Sequence, residues 1–291
     1  MKVYRTPKLE IEYLHLFLYG LPGAGKTKFI GDFEAAGQTV MRVGEIDRVT
    51  LPALGLDVVS VLPSTENELR AFTECPEIVV EKVLRPLPGL ENFTPKTIAF
   101  DNLRVLQRVV FGTPEAREDD KVFEGAFTMP TRKATGIMAL PNKRDATGIP
   151  ANKDYRLLDE HMRSLIHNIT SLPYHTIVTS HEERDLSIES RLKLSGDAER
   201  DAMVSRTTSG YPALDGFSLK YDLGGLISDF FIRLEWTGEQ YLMHTRPNAG
   251  FHSRTRINQV MPPTLDWTGK NAYHLLRRKI EQAQEKAGQK R

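Results

Sequence analysis

The stretch Gly20-Leu21-Pro22-Gly23-Ala24-Gly25-Lys26-Thr27 decides how this chain is read. It matches G-x-x-x-x-G-K-[ST] at every fixed position. Glycines let the backbone wrap an anion with successive N–H groups, and a following helix turns its positive end toward the same point. In that chemistry Gly20, Pro22, Gly23, Ala24, Gly25, Lys26, Thr27 and Lys28 form a nucleotide cradle. Lys26 reaches the β- and γ-phosphates, and the Thr27 hydroxyl is a ligand for Mg²⁺. The competing reading is a glycine-rich turn that matches by chance. The context favours the cradle: an apolar run, Glu12 to Tyr19 (EYLHLFLY), predicts a strand before it, and Lys26 to Ala36 predicts a helix that Gly37 ends. The expected cofactors are therefore ATP and Mg²⁺.

A phosphate loop of this kind needs an acidic partner for the metal at the end of a neighbouring strand. Thr97-Ile98-Ala99-Phe100-Asp101 provides one, so Asp101 is the expected metal carboxylate, although an aspartate before a helical pattern also suits a helix N-cap. Hydrolysis needs a group to orient or deprotonate water. Glu45 and Asp47 follow a β-branched run at Thr39 to Val43, and Glu45, closer to the strand end and longer in reach, is the expected base. Ser180-His181-Glu182 ends another run, Tyr174 to Ser180, and His181 is the first choice for a side chain that senses the γ-phosphate. Solvated loop carboxylates and an exposed histidine are the plainer readings of these residues.

Further out, Asp57 to Leu62 predicts a strand, Thr65 and Glu68 stand at capping-box spacing, and Asn102 to Phe111 and Asp154 to Leu172 predict helices. Strands alternating with helices indicate an α/β domain with a mainly parallel central sheet and helices on both faces. Asp229 to Glu235 and Gln240 to Thr245 flank Trp236-Thr237-Gly238-Glu239 and predict an antiparallel C-terminal hairpin, while Tyr273 to Lys286 predicts a polar helix. The segments 112–153 and 182–211 lack sustained periodicity, and loops of that length in a compact domain are functional or disordered.

Composition limits what the chain can be. Of 291 residues, 40% are hydrophobic, an ordinary globular fraction that excludes a mostly disordered chain. Lys and Arg total 39 against 38 Asp and Glu, a net charge of +1 that excludes a polycation coating nucleic acid through bulk charge. The lone Cys75 excludes an internal disulfide. The opening Met1-Lys2-Val3-Tyr4-Arg5 lacks the apolar core of a signal peptide, and no stretch approaches the ~18 apolar residues of a membrane span. The expectation is a soluble, cytoplasmic protein without a membrane partner.

Taken together, the loop, the TIAFDN strand, the IVTSHEE strand and the late hairpin with Ala249 to Arg256 resemble the RecA-type P-loop ATPases. They resemble in particular the small phage members that consist of the ATPase core alone, the Sak-type single-strand annealing proteins. The resemblance covers about Val3 to Arg256. It implies a RecA-like core over 1–265, followed by a C-terminal helix and basic tail over 266–291. It also implies Glu45 as catalytic base, His181 as the coupler of γ-phosphate to DNA-binding loops, and Arg254 and Arg256 as fingers that reach the ATP of an adjacent subunit. At the position of Arg254 many members carry lysine instead. In such proteins DNA lies on two loops, which here are 112–153 and 182–211.

Charge favours the first loop. Pro130 to Arg156 holds six Lys and Arg, among them Arg132, Lys133, Lys143 and Arg144, against two Asp, a local net charge of +4. Such a segment supplies sequence-independent affinity for phosphates. Glu182 to Arg206, with seven acidic and five basic residues, does not. The implied function is an ATP-dependent recombination and annealing protein that binds single-stranded DNA as a homo-oligomeric ring or filament, in the cytoplasm of the host if it is a phage protein. A single-strand-binding protein is an implied partner. The rival readings are a helicase-like motor or helicase loader, a small-molecule or nucleotide kinase with 112–153 as its lid, and a nucleotide switch without turnover.

Overall fold

In the computed structural model of the protein, residues 11–44, 47–111, 152–184, 210–213, 229–247, 252–255, 257 and 261–289 are described. The strand before the glycine loop, β1 (His15–Gly20), is apolar on both faces because both are covered. Leu16 and Leu18 enter one core and Phe17 and Tyr19 the other.

Around β1 stand β2 (Val40–Gly44), β3 (Val59–Val61), β4 (Thr97–Asp101), β5 (His175–Arg184), β6 (Gly210–Pro212), β7 (Phe230–Trp236), β8 (Tyr241–His244), β9 (Arg254–Thr255) and β10 (Thr264–Asp266). The main path runs β10-β8-β7-β1-β5-β4-β2-β3, with β6 added to β5 and β9 to β7. All pairs from β7 through β3 are parallel, and the pairs made by β6, β8, β9 and β10 are antiparallel. This is a mixed, mostly parallel α/β sheet, and the late hairpin is the antiparallel pair β7–β8.

The helices are α1 (Lys26–Ala35), α2 (Thr50–Ala53), α3 (Glu66–Glu74), α4 (Pro76–Val79, continued by a π turn over Val80–Leu84), α5 (Leu103–Phe111), α6 (Asn152–Thr170) and α7 (Ala272–Gln289). Two cores separate them. On one face Leu69 and Phe72 of α3, Leu106 of α5, and Leu158, Met162 and Ile166 of α6 pack on Phe17, Val43, Phe100 and Val178. On the other, Phe29, Ile30 and Phe33 of α1 pack with Ala272, Leu276 and Ile280 of α7 on Leu18, Ala99 and Ile232. Burying each such side chain is worth about 1.5–3 kcal/mol.

Local signals act as the residues dictate. Thr65 Oγ1 accepts from Glu68 N at 3.2 Å, while the Glu68 carboxylate returns one residue earlier than a capping box requires, to Ser64 N at 2.5 Å. Three differences from expectation are informative. β3 is shorter than Asp57–Leu62. β5 runs past Ser180 to Arg184, because β6 pairs antiparallel with Glu182–Arg184. Arg184 and Gly210, which flank residues 185–209 outside the described residues, are thereby paired. Third, α7 is not a polar appendage: Ala272, Leu276, Ile280 and Ala283 form a buried stripe at helical spacing. Its start is fixed on α1, where Asp32 Oδ2 accepts from Ala272 N at 2.9 Å and Asp32 O from Asn271 Nδ2 at 2.6 Å.

Candidate functional site

β1 delivers the glycine loop to the carboxyl edge of the parallel strands, where open α/β sheets gather their binding groups. Two of the loop's glycines show the constraint most sharply. At Gly25 φ is +92°, and a Cβ there would stand 2.9 Å from carbons of the Tyr241 ring. At Gly20 a Cβ would stand 2.3 Å from Leu234 O. Gly25 leads into α1 with no side-chain cap, so the first N–H groups of that helix are left for another acceptor.

Lys26 folds back over this loop. Its Nζ donates to Gly20 O at 2.8 Å and to Leu21 O at 3.0 Å. The side chain is buried, and burial lowers its pKa to about 8, against the pull of the Asp101 and Glu182 carboxylates. Those two acids therefore lie within electrostatic reach of the ammonium. Lys28 sits in the same first turn, paired with Asp32 at 3.3 Å, and its Nζ lies 4.3 Å from the centre of the Trp267 ring. Thr27 is half-buried in the first turn of α1.

Asp101 is the last residue of β4 and is buried. Its Oδ2 accepts from both Nε and Nη2 of Arg42, at 2.9 and 2.6 Å, and its Oδ1 accepts from Thr179 Oγ1. The helix-cap role falls to its neighbour, since Asn102 Oδ1 accepts from Val105 N at 3.1 Å. β2 brings Gly44 into register with Asp101, so closely that a Cβ on Gly44 would stand 1.8 Å from Asp101 O. Glu45, the next residue and the expected base, lies outside the described residues. Its rival Asp47 is occupied: Oδ1 accepts from the backbone N–H groups of Val49, Thr50 and Leu51 and starts α2. Those bonds outweigh burial and lower the Asp47 pKa.

His181 is brought to the loop. β5 lies between β1 and β4, and its register sets His181 beside Gly20, the first residue of the cradle. The structure does not gather the other expected residues as plainly. Arg254 is exposed on β9, in register with Phe231 of β7. Arg256, Arg132, Lys133, Lys143 and Arg144 lie outside the described residues.

Sequence reading missed a second charged group at the same edge. On the sheet face that carries Tyr19 and Phe231, Arg233 Nε donates to Glu182 Oε2 at 2.9 Å and its Nη1 to Glu235 Oε2 at 2.8 Å. That oxygen also meets His244 Nε2 at 2.6 Å. Burial opposes ionisation of Glu235, yet His244 and Arg233 prevail and its pKa is lowered. For His244 burial prevails over Glu235, and its pKa is lowered too. A signal for these residues existed. Arg42 in VMRVG and Arg233 in FFIRLEW are charges inside apolar strands, and a buried charge demands a partner.

Among the described residues no three His, Cys, Asp or Glu side chains gather into a cluster able to hold a metal alone. None of the described helices is long and apolar enough to cross a membrane. No protein-family model matches the sequence, and a search of the curated proteins finds no match to it. The architecture and the loop define a mixed, mostly parallel α/β protein with a glycine-rich loop between β1 and α1.

Proposed function

We propose that this protein is a RecA-type ATPase that binds single-stranded DNA and promotes annealing, with ATP held and hydrolysed at the interfaces of a homo-oligomer. One observation carries the nucleotide reading: the loop ammonium of Lys26 and the buried carboxylate of Asp101 share one sheet edge, with β5 between their strands and His181 beside Gly20. The DNA part rests on the resemblance and on the charge of 130–156.

In this reading Lys26 exchanges the carbonyls of Gly20 and Leu21 for phosphate oxygens. Its lowered pKa is no obstacle, because the negative charge of the phosphates favours the ammonium. Mg²⁺ held here would supply positive charge against the negative charge that develops on the transferring phosphoryl group. Thr27 and Asp101 are the residues that would hold it. A carboxylate offers about four acceptor positions. Arg42 and Thr179 take three of those on Asp101, which leaves one for a metal-bound water. A site of so few protein ligands is completed by substrate phosphates and water.

Glu45 follows the glycine that lies against Asp101 and orients the attacking water. His181 reads the γ-phosphate. Arg254 or Arg256 crosses to the ATP of the neighbouring subunit, where an always-charged guanidinium suits the transferring group. The loop 112–153 carries DNA through Arg132, Lys133, Lys143 and Arg144.

The test is the rate of ATP hydrolysis with and without single-stranded DNA, for the wild type and Lys26→Ala. A rate that DNA raises and the substitution abolishes is expected. A rate indifferent to DNA, with no salt-sensitive DNA binding, overturns the recombination reading. Phosphate transfer to a small acceptor by a monomer would replace it with the kinase.

A further inference from the structure

The order of the strands dictates which way a nucleotide must lie on this edge. Asp101, Arg42 and Thr179 stand on β4, β2 and β5, all to one side of β1. The γ-phosphate end belongs on that side, with the metal-holding residues. The sugar and base must then leave the loop on the other side, past the start of α1, where β7, β8 and β10 lie.

What waits there is aromatic. Tyr241 of β8 and Trp267, just after β10, fill the space where a Cβ on Gly25 would point, at 2.9 and 3.2 Å. Trp236, at the end of β7, lies against Tyr241 with ring centres 4.3 Å apart and the two planes tilted by 35°. Tyr241 lies 5.2 Å from Trp267, whose ring is capped by the Lys28 ammonium. The inner ring is fully buried, while the outer one, Trp236, is 42% exposed.

The pair is held rigidly. Tyr241 N donates to Thr268 Oγ1 at 2.8 Å, Trp267 N donates to Tyr241 O at 3.0 Å, and the tight β7–β8 turn fixes Trp236 opposite Tyr241. A partly exposed indole paired across a hairpin with Tyr241, one ring away from the glycine loop, has the chemistry of a base-stacking platform.

We propose that Trp236 and Tyr241 form the stacking surface for the base of a purine nucleoside triphosphate whose phosphates lie in the Gly20–Lys28 loop, an inference that rests on the nucleotide reading above. Stacking reads the area of a ring and not its edges, so the surface takes adenine and guanine alike and favours purines over the smaller pyrimidines.

The experiment is calorimetric titration of ATP, GTP and inorganic tripolyphosphate, each with Mg²⁺, into the wild type, Trp236→Ala and Trp236→Phe. Tripolyphosphate carries the phosphate chemistry without a base. Trp236→Ala is expected to weaken ATP and GTP about tenfold and leave tripolyphosphate unchanged, whereas Trp236→Phe keeps most of the nucleotide affinity. Unchanged nucleotide binding in Trp236→Ala overturns the proposal. So does an equal loss for all three ligands. If the wild type binds neither nucleotide nor tripolyphosphate, the phosphate reading falls and this inference with it. That result is distinct from the others.

Discussion

Arg42 and Asp101 meet through a single oxygen: Nε and Nη2 of the guanidinium both donate to Oδ2, and Thr179 takes Oδ1. Both side chains are more than nine-tenths buried. The acid proposed here to hold a metal is thus also one on which the fold depends. Arg42→Ala leaves a buried carboxylate without its cation, so a loss of about 3–5 kcal/mol is expected in urea unfolding. Arg42→Lys, which keeps the charge but not the fork, should lose less. A stability equal to wild type in Arg42→Ala would mean the pair contributes nothing.

Burial of the Lys26 ammonium costs the fold stability. Its pKa falls from 10.5 to about 8 on folding, so between those values the unfolded chain binds more protons and stability rises with pH. At neutral pH the buried ammonium costs on the order of 3 kcal/mol. Lys26→Met should therefore unfold at higher urea than wild type at pH 7, with the advantage shrinking toward pH 10. A constant difference across that range would contradict this account.

Two glycines with positive φ separate strain from collision. Gly44→Ala combines φ of +146° with a Cβ 1.8 Å from Asp101 O, and neither strand can yield without losing its ladder. A loss of about 4 kcal/mol or more, or insoluble protein, is expected. Gly37→Ala, at φ +73° with nothing within 4 Å, carries only the left-handed penalty of about 1–2 kcal/mol. Equal melting temperatures for the two variants would remove the steric argument.

His175 makes the fold sensitive to acid. Its Nδ1 accepts from Leu14 N at 3.0 Å, which needs a neutral ring. Burial, then the charges of Arg277 and His15, lower its pKa to about 4. As pH falls from about 6.5 toward 4 the unfolded chain takes up the proton first, so stability drops, by about 1.4 kcal/mol per pH unit at the steepest. His175→Gln can still accept from Leu14 N and does not titrate. Its urea midpoint should fall less between pH 7 and 4.5, and a parallel fall in both proteins would shift the effect to the carboxylates.

The elements legible in the sequence were those whose cause is local. The glycine loop, the helix it opens, Asp101 at the end of TIAFD, the cap at Thr65 and the β7–β8 hairpin each depend on residues a few positions apart. Arg42, Thr179, Glu182, Arg233 and His244 were not singled out, because their partners lie on other strands: Arg42 and Asp101 are 59 residues apart, Arg233 and Glu182 51. The buried stripe of α7 was hidden in the same way, its Leu276 and Ile280 standing among six basic residues from Arg277 to Arg291.

By itself, then, the sequence determined an α/β chain with a glycine-rich loop after its first strand and a helix opened by that loop, since backbone conformation and helix polarity follow from short spacings of glycine, lysine and apolar residues. Only the tertiary structure decided the order β10-β8-β7-β1-β5-β4-β2-β3 and what that order gathers. It sets Asp101 and His181 on one side of the loop and Tyr241 and Trp236 on the other. Which strands become neighbours depends on how two cores are filled across the whole chain, and no window of sequence contains that sum.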